Sequence, residues 1–249
     1  MCVLHQRDEE FEVLMVRRSA TARFMAHAWV FPGGVVDPED HGDVARNVLA
    51  GIAEAELGPW LAAAFREVAE ETGIWLTSPP LVAASDQGVF AVAAERGLQF
   101  DASRVAYFAN WITPTMVPQR FDARFFIAAI DTAIDPVPDG EEVDAAEFVT
   151  PAEALRRADS NEWLVPFPTQ RILLQLAEFT SVAAAIDEWQ QREVTPIQPK
   201  MQIAADGTVA VVMPGEPGFD DLEEVEPDAE LLTRAAARQG RRIPEVQLD

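Results

Sequence analysis

The chain has 249 residues, enough for one large domain or one domain with an extension. Its formal net charge of −23 argues against nucleic acid as a direct partner, because phosphate backbones are held by basic surfaces, but it admits a small phosphorylated ligand if divalent cations stand between the two sets of negative charge. No apolar run is long enough to span a membrane, the N-terminal residues lack a secretory signal pattern, and Cys2, the one cysteine, allows no internal disulfide, so a cytoplasmic location is expected.

FEVLMVR (11–17) is expected to be a strand, with the preceding CVLH pairing to it as a hairpin. AWVFP (28–32) is a short apolar run that ends in Pro32-Gly33-Gly34, and VVDPEDHGD after it is a polar, turn-rich loop. Residues 43–57 are alanine-rich and helical in pattern. Pro59 suits a first helical position, so a second helix opens there, runs through WLAAAFREVAEET and stops at Gly73. On it Leu61, Ala64, Phe65 and Val68 recur at i, i+3, i+4, i+7 as an apolar stripe, and Glu67, Glu70 and Glu71 fall on the other side. At 100° per residue, Glu67 and Glu71 stand about 40° apart, with Glu70 about 60° to the other side of Glu67. Three carboxylates at the electronegative end of a helix are disfavoured, and Glu67 and Glu71 also repel as an i,i+4 pair. Arg66, four residues before Glu70, is placed to pair with it.

Further along, 83–96 reads as a helix, and 105–112 and 124–130 as strands joined by TPTMVPQRFD. PVPDGEE (136–142) is an acidic loop before a short strand, AEFV (146–149), and Pro151 opens a helix through Arg157. One or two helices occupy 169–191, and 201–213 is a hairpin candidate turning at Asp206-Gly207. The segment 214–230 holds eight acids, no base and three prolines, the composition of a surface-draped or poorly ordered tail. His5, His27 and His41 are scattered without metal-ligand spacing. Strand, strand, interrupted helix, strands, helices is the order of an α/β (α+β) domain with a mixed sheet between helices.

FPGG (31–34) followed by REVAEETGI (66–74) resembles the Nudix hydrolase signature, a glycine, five residues, a glutamate, seven residues, then R-E-apolar-x-E-E-x-G-apolar. The second half matches at every specified position. Two departures stand in the first half. Five residues after Gly34 comes Asp40 where the family has glutamate, and 25 residues rather than seven separate Asp40 from Arg66, an insertion of 18. Asp40 is the first candidate to hold Arg66; Glu39, Glu54 and Glu56 are the others. The interrupted box, WITP (111–114) and RFDARFF (120–126) resemble the branch related to peroxisomal coenzyme A diphosphatases, over roughly residues 11–175.

The resemblance implies a Nudix fold over 1–175, with 41–58 as the insertion, followed by a helix, hairpin and acidic tail over 176–249. It implies Mg²⁺ or Mn²⁺ bound by Glu67, Glu70 and Glu71, with Arg66 orienting them and Gly33 and Gly34 letting the loop pass close. A fourth acid, as base or ligand, is expected from the 139–142 loop, Glu142 before Glu141. Arg120 and Arg124 are candidates for substrate phosphates. The implied reaction cleaves a nucleoside diphosphate joined to another group: coenzyme A or an acyl ester first, ADP-ribose or NADH as alternatives, and a non-catalytic Nudix-fold module as a reading of another class. A homodimer is a further expectation from the family.

Overall fold

The computed structural model describes residues 1–22, 24–78, 80–83, 88–117, 119–132, 134–203 and 209–222. In chain order the strands and helices are β1 (Cys2–Arg7), β2 (Glu10–Arg18), β3 (Trp29–Val30), α1 (Asp43–Val48), β4 (Leu49–Ala50), α2 (Gly58–Thr72), β5 (Ile74–Trp75), β6 (Leu81–Val82), α3 (Val89–Arg96), β7 (Phe100–Asp101), β8 (Val105–Ile112), β9 (Asp122–Ile130), β10 (Val143–Val149), α4 (Pro151–Asp159), α5 (Phe167–Leu176), α6 (Val182–Trp189), β11 (Lys200–Ile203) and β12 (Val209–Val212). No helix among the described residues is long and apolar enough to cross a membrane.

The main sheet runs in the order β10-β2-β1-β9-β8, with β3 pairing to β2. β1 and β2 form the expected hairpin, with Leu4 opposite Val13. β1 also pairs in parallel with β9, and β10 runs antiparallel to β2, so the sheet is mixed. Alternation sends neighbouring residues of β2 to opposite faces. Leu14 joins a core cluster with Phe65 and Val68 of α2 and Phe126 of β9, while Val13 and Met15 are equally buried. On the scale of about 1.5–3 kcal/mol for each large apolar side chain removed from water, this core supports α2 from beneath.

α2 starts with Pro59 in its first turn and ends at Gly73, whose φ of 67° is the left-handed conformation that glycine adopts without strain. The Gly73 N–H donates to the Ala69 carbonyl at 2.9 Å. The expected apolar stripe is buried at Leu61, Phe65 and Val68. The opposite face is not a solvated one, however: Arg66, Glu67 and Glu71 are buried too.

The insertion is only partly helical. Helical propensity over 43–57 is overridden after Val48, where Leu49 and Ala50 pair in parallel with Phe100 and Asp101, and Gly51 turns the chain at φ 73°. Ala45, Val48 and Leu49 enter the same core cluster as α2 and α3, so the extra residues extend the core. Elsewhere β10 begins three residues earlier than expected, at Val143 directly after Glu142, and α3 is described from Val89. The expected Asp206-Gly207 turn and the acidic segment from 223 onward lie outside the described residues.

The chain divides into two compact units. The first holds Met1–Ala22, Ala26–Phe108 and Phe125–Glu193, and so continues past residue 175. The second holds Arg23–Met25, Ala109–Arg124 and Val194–Asp249. Within the second, Ile112 and Ile197 are joined by a 2.9 Å hydrogen bond, β11 and β12 pair antiparallel, and Lys200 donates to the carbonyls of Phe219 and Leu222 at 3.1 and 2.8 Å.

Candidate active site

Arg66 is the hub of the buried face of α2. Its Nε and Nη2 donate to the two carboxylate oxygens of Asp40 at 3.1 and 3.0 Å, a forked pair. Its Nη1 donates to Glu67 and to Glu70, both at 2.9 Å, and Nη2 also donates to the Val35 carbonyl at 3.0 Å. All five guanidinium N–H groups therefore have an acceptor. Asp37 and Glu39 stand further out, at 3.7 and 3.8 Å. Burial opposes the charge on Arg66, but the hydrogen bond with Asp40 and the charges of Glu67 and Asp40 outweigh it and raise its pKa.

Asp40 is thus the residue that holds Arg66, at the position where the signature that the sequence resembles has the longer glutamate. It sits on the single turn of Pro38–His41, where its own carboxylate accepts from the Asp37 N–H at 2.7 Å. The turn brings the side chain to the helix, and the shorter arm suffices. Glu54 and Glu56 are not among the ion-pair partners of Arg66 described here.

Three carboxylates converge beside this hub. Glu67, Glu71 and Glu142 each offer an oxygen within 4.8 Å of the others. Glu67 and Glu71 are 7% and 4% exposed, whereas Glu142 is on the surface. Burial pushes the Glu67 carboxyl up to about 7, against the pull of Arg66. Burial, and then the charge of Glu67, push Glu71 up to about 8, against the N–H of Gly33 that donates to it at 2.9 Å. Burial also raises Glu70, but its carboxylate faces Arg66 and it is not a member of the cluster.

Gly34 explains how a backbone can lie this close. A Cβ at position 34 would stand 2.4 Å from Oε1 and 2.6 Å from Cδ of Glu67, closer than real Cβ contacts come. The loop at 33–34 can therefore cover the glutamates, which is why the face is buried.

Glu142 arrives from the other side. The segment before it satisfies carbonyls that the end of α2 leaves open: Val137 N–H donates to the Thr72 carbonyl at 2.8 Å and Asp139 N–H to the Glu71 carbonyl at 3.3 Å. Glu142 then accepts at its own carbonyl from Ser19 N–H at 2.8 Å, just ahead of the pairing of Val143 with Arg18. Helix end, loop and β10 are stitched together, and Glu142 rather than Glu141 reaches the cluster.

The structure so brings together Arg66, Glu67, Glu71, Glu142, Gly33 and Gly34, with Glu70 held at the edge. Arg120 and Arg124 belong to the second unit, where Arg120 Nε donates to the Thr113 carbonyl at 3.1 Å and Arg124 pairs with Asp122 at 3.4 Å. The residue that sequence reasoning left without a role is Asp139, whose signal was the Asp-Gly turn beside Glu142. A cavity of about 440 Å³ lined by Gln6, Arg104, Asp131 and Val182, among others, shares no residue with the carboxylates. Its Arg104 is already forked onto Asp131 at 2.6 and 2.8 Å, so we place no substrate there.

A family model described as NUDIX domain matches residues 1–167. Nudix hydrolase 7 of Caenorhabditis elegans is 29% identical over 180 residues, which are 67% of this chain; the chain spans only 56% of that relative's length. The acyl-coenzyme A diphosphatase NUDT19 of Xenopus laevis is 25% identical over 282 aligned positions, covering 88% of this chain and 73% of the relative. Among solved structures, a NUDIX hydrolase from Alicyclobacillus acidocaldarius matches with a TM-score of 0.63 at 28% identity, over 75% of this chain and 93% of that one. With the family model matching most of its length, the chain belongs to the NUDIX domain family.

Proposed function

We propose that this protein hydrolyses the diphosphate bond of a nucleoside diphosphate joined to a second group, using Mg²⁺ or Mn²⁺ held by Glu67, Glu71 and Glu142. The observation that carries the reading is the cluster itself. Two buried carboxylates and one exposed one offer oxygens within 4.8 Å of one another, and Arg66 reaches only Glu67 of the three. Such an all-oxygen, anionic donor set suits a hard divalent cation, and burial first, with the mutual charge of the carboxylates after it, raises the pKa values of Glu67 and Glu71. When bound, the ion would offset the charge of the diphosphate and lower the pKa of a water molecule.

The chain's own residues do the rest. Arg66 fixes Glu67, and the Gly33 N–H fixes Glu71, so both arrive pre-oriented on a rigid helix. Glu142, the exposed member, would hold the ion through one oxygen and is assigned to take on the other the proton of the water that attacks one phosphorus, as a phosphate monoester leaves. Glu70 is a further ligand candidate once its bond to Arg66 is exchanged.

Coenzyme A or its acyl esters are the substrates we assign, giving 3′,5′-ADP and (acyl-)phosphopantetheine. The interrupted box and the similarity to an acyl-coenzyme A diphosphatase along 88% of this chain support this choice. The test is incubation with Mg²⁺ or Mn²⁺ and coenzyme A, acetyl-coenzyme A, ADP-ribose, NADH and nucleoside triphosphates, with products identified by mass. The assignment expects 3′,5′-ADP from the coenzyme A compounds. ADP-ribose turned over far faster than coenzyme A would overturn the substrate, and no turnover of any compound would overturn the activity.

A further inference from the structure

We propose that Asp139 is a positioning residue for the carboxylate cluster, holding the Glu142 peptide so that its side chain stands beside Glu67 and Glu71. The proposal rests on the metal-dependent reading above. The Asp139 Oδ1 accepts from three successive N–H groups, those of Glu141 at 3.1 Å, Glu142 at 3.2 Å and Val143 at 2.9 Å, and its Oδ2 accepts a second time from Glu142 at 3.1 Å. One side chain thus organises the whole turn. Gly140, at φ 77°, lets the chain fold back over it, and its N–H closes the turn onto the Val143 carbonyl at 3.0 Å.

The same residue is tied to the helix. The Asp139 N–H donates to the carbonyl of Glu71, and two residues earlier the Val137 N–H donates to that of Thr72. By its main chain Asp139 therefore touches the residue that supplies one carboxylate, and by its side chain it sets the peptide of the residue that supplies another. Glu142 is surface-exposed, so burial does not fix it as it fixes Glu67 and Glu71. What fixes its backbone is Asp139 on one side and Ser19 N–H on the other. Removing the Asp139 carboxylate frees the first tie and leaves the second, together with the pairing of β10 to β2. The fold is expected to survive while the placement of Glu142 relaxes.

Asp139 has two separable properties, an acceptor and a charge. Asparagine keeps one acceptor oxygen, enough for the three bonds now made to Oδ1, and loses the charge; alanine loses both. The experiment titrates Mn²⁺ into the full-length wild type, Asp139→Ala, Asp139→Asn and Glu141→Gln, following free Mn²⁺ by paramagnetic resonance. It pairs this with amide hydrogen exchange of the metal-free proteins. The expected results are Mn²⁺ affinity weakened roughly tenfold or more in Asp139→Ala, the loss typical when a residue supporting a ligand is removed, and largely recovered in Asp139→Asn. Glu141→Gln should bind as the wild type does. Exchange at the amides of 141–143 should quicken in Asp139→Ala and stay slow in Asp139→Asn. Wild-type affinity in Asp139→Ala overturns the proposal, as does an asparagine variant as weak as the alanine one, which would make charge the operative property. If the wild type binds no Mn²⁺, the metal-dependent reading fails. The exchange data then stand alone, and unchanged protection at Glu142 in Asp139→Ala overturns the positioning role as well. Should the alanine variant not fold, Asp139→Gln, whose acceptor is one carbon too far for this turn, replaces it.

Discussion

Replacing Asp40 with alanine tests how the interrupted box is closed. The substitution leaves the Arg66 Nε and one Nη2 N–H, now bonded at 3.1 and 3.0 Å, without their acceptor in a place where the Arg66 side chain is only 4% exposed. Removing one member of a buried ion pair costs about 3–5 kcal/mol, because the remaining charge is left uncompensated. Asp37 and Glu39, at 3.7 and 3.8 Å, can move toward the vacated position and bring the cost to the lower end of that range. For a chain of this size each kcal/mol shifts the melting temperature by about 2–4 °C, so a loss near 3 kcal/mol lowers it by about 6–12 °C. The assay is thermal unfolding in EDTA of Asp40→Ala beside Glu39→Ala, whose half-exposed side chain should matter by about 0.5 kcal/mol or less. A shift below about 2 °C for Asp40→Ala, or one as large for Glu39→Ala, would refute the assignment of Asp40 as the partner of Arg66.

Gly34→Ala should displace the Glu67 carboxylate, since the new Cβ would stand 2.4 Å from it; Mn²⁺ titration should then find weakened binding in a protein that still unfolds cooperatively, and unaltered affinity would contradict the close approach. Glu142→Gln should lower turnover sharply while Glu141→Gln leaves it near wild type, as steady-state rates with the preferred substrate would show; equal losses would contradict the placement of the loop. The metal-free protein should lose stability as pH rises. Burial pushes Glu67 and Glu71 up to about 7 and 8 from an ordinary 4.5, so between about pH 4.5 and 8 these two side chains bind more protons in the folded chain than in the unfolded one, and together they outnumber the buried group beside them that is shifted the other way, the Met1 ammonium. Melting temperatures in EDTA should therefore fall from pH 6 to 8.5, less steeply in Glu71→Gln, while the stabilisation given by Mn²⁺ grows because protons no longer compete. A melting temperature that rises with pH in EDTA, or a slope unchanged by Glu71→Gln, would contradict this.

The helix that carries the site was legible because its signals are local: Pro59 at the start, Gly73 at the end, and an apolar stripe between them. The pairing of CVLH with FEVLMVR was legible for the same reason. What could not be read was the burial of Glu67 and Glu71. Helical periodicity sorts residues into faces but is silent about what lies against the second face, and here Gly33, Gly34 and the turn at Asp40 cover it. The choice among Asp40, Glu39, Glu54 and Glu56 was open for a related reason. Spacing along the chain does not say which of these side chains reaches Arg66, and the turn of Pro38–His41 is what carries Asp40 to it. The insertion misled in the opposite sense: its alanines favour helix, but pairing of Leu49 and Ala50 with β7 decides the conformation after Val48. Glu142 was legible as an acidic loop beside a strand, and not as a neighbour of Glu71, because the bonds that join them are made by main-chain atoms of Val137 and Asp139.

An α2 whose carboxylates are buried against one another is a poor arrangement for stability alone, and the proposed function gives it a use, to bind a cation and hydrolyse a diphosphate. Glu71→Gln separates the two most directly, since it removes the charge and keeps the shape. The measurement is the rate of 3′,5′-ADP release from coenzyme A at saturating Mn²⁺, with the melting temperature of the same variant in EDTA at pH 8.5. Turnover should fall by orders of magnitude, and the melting temperature should equal or exceed that of the wild type. An undiminished rate would contradict the proposed function.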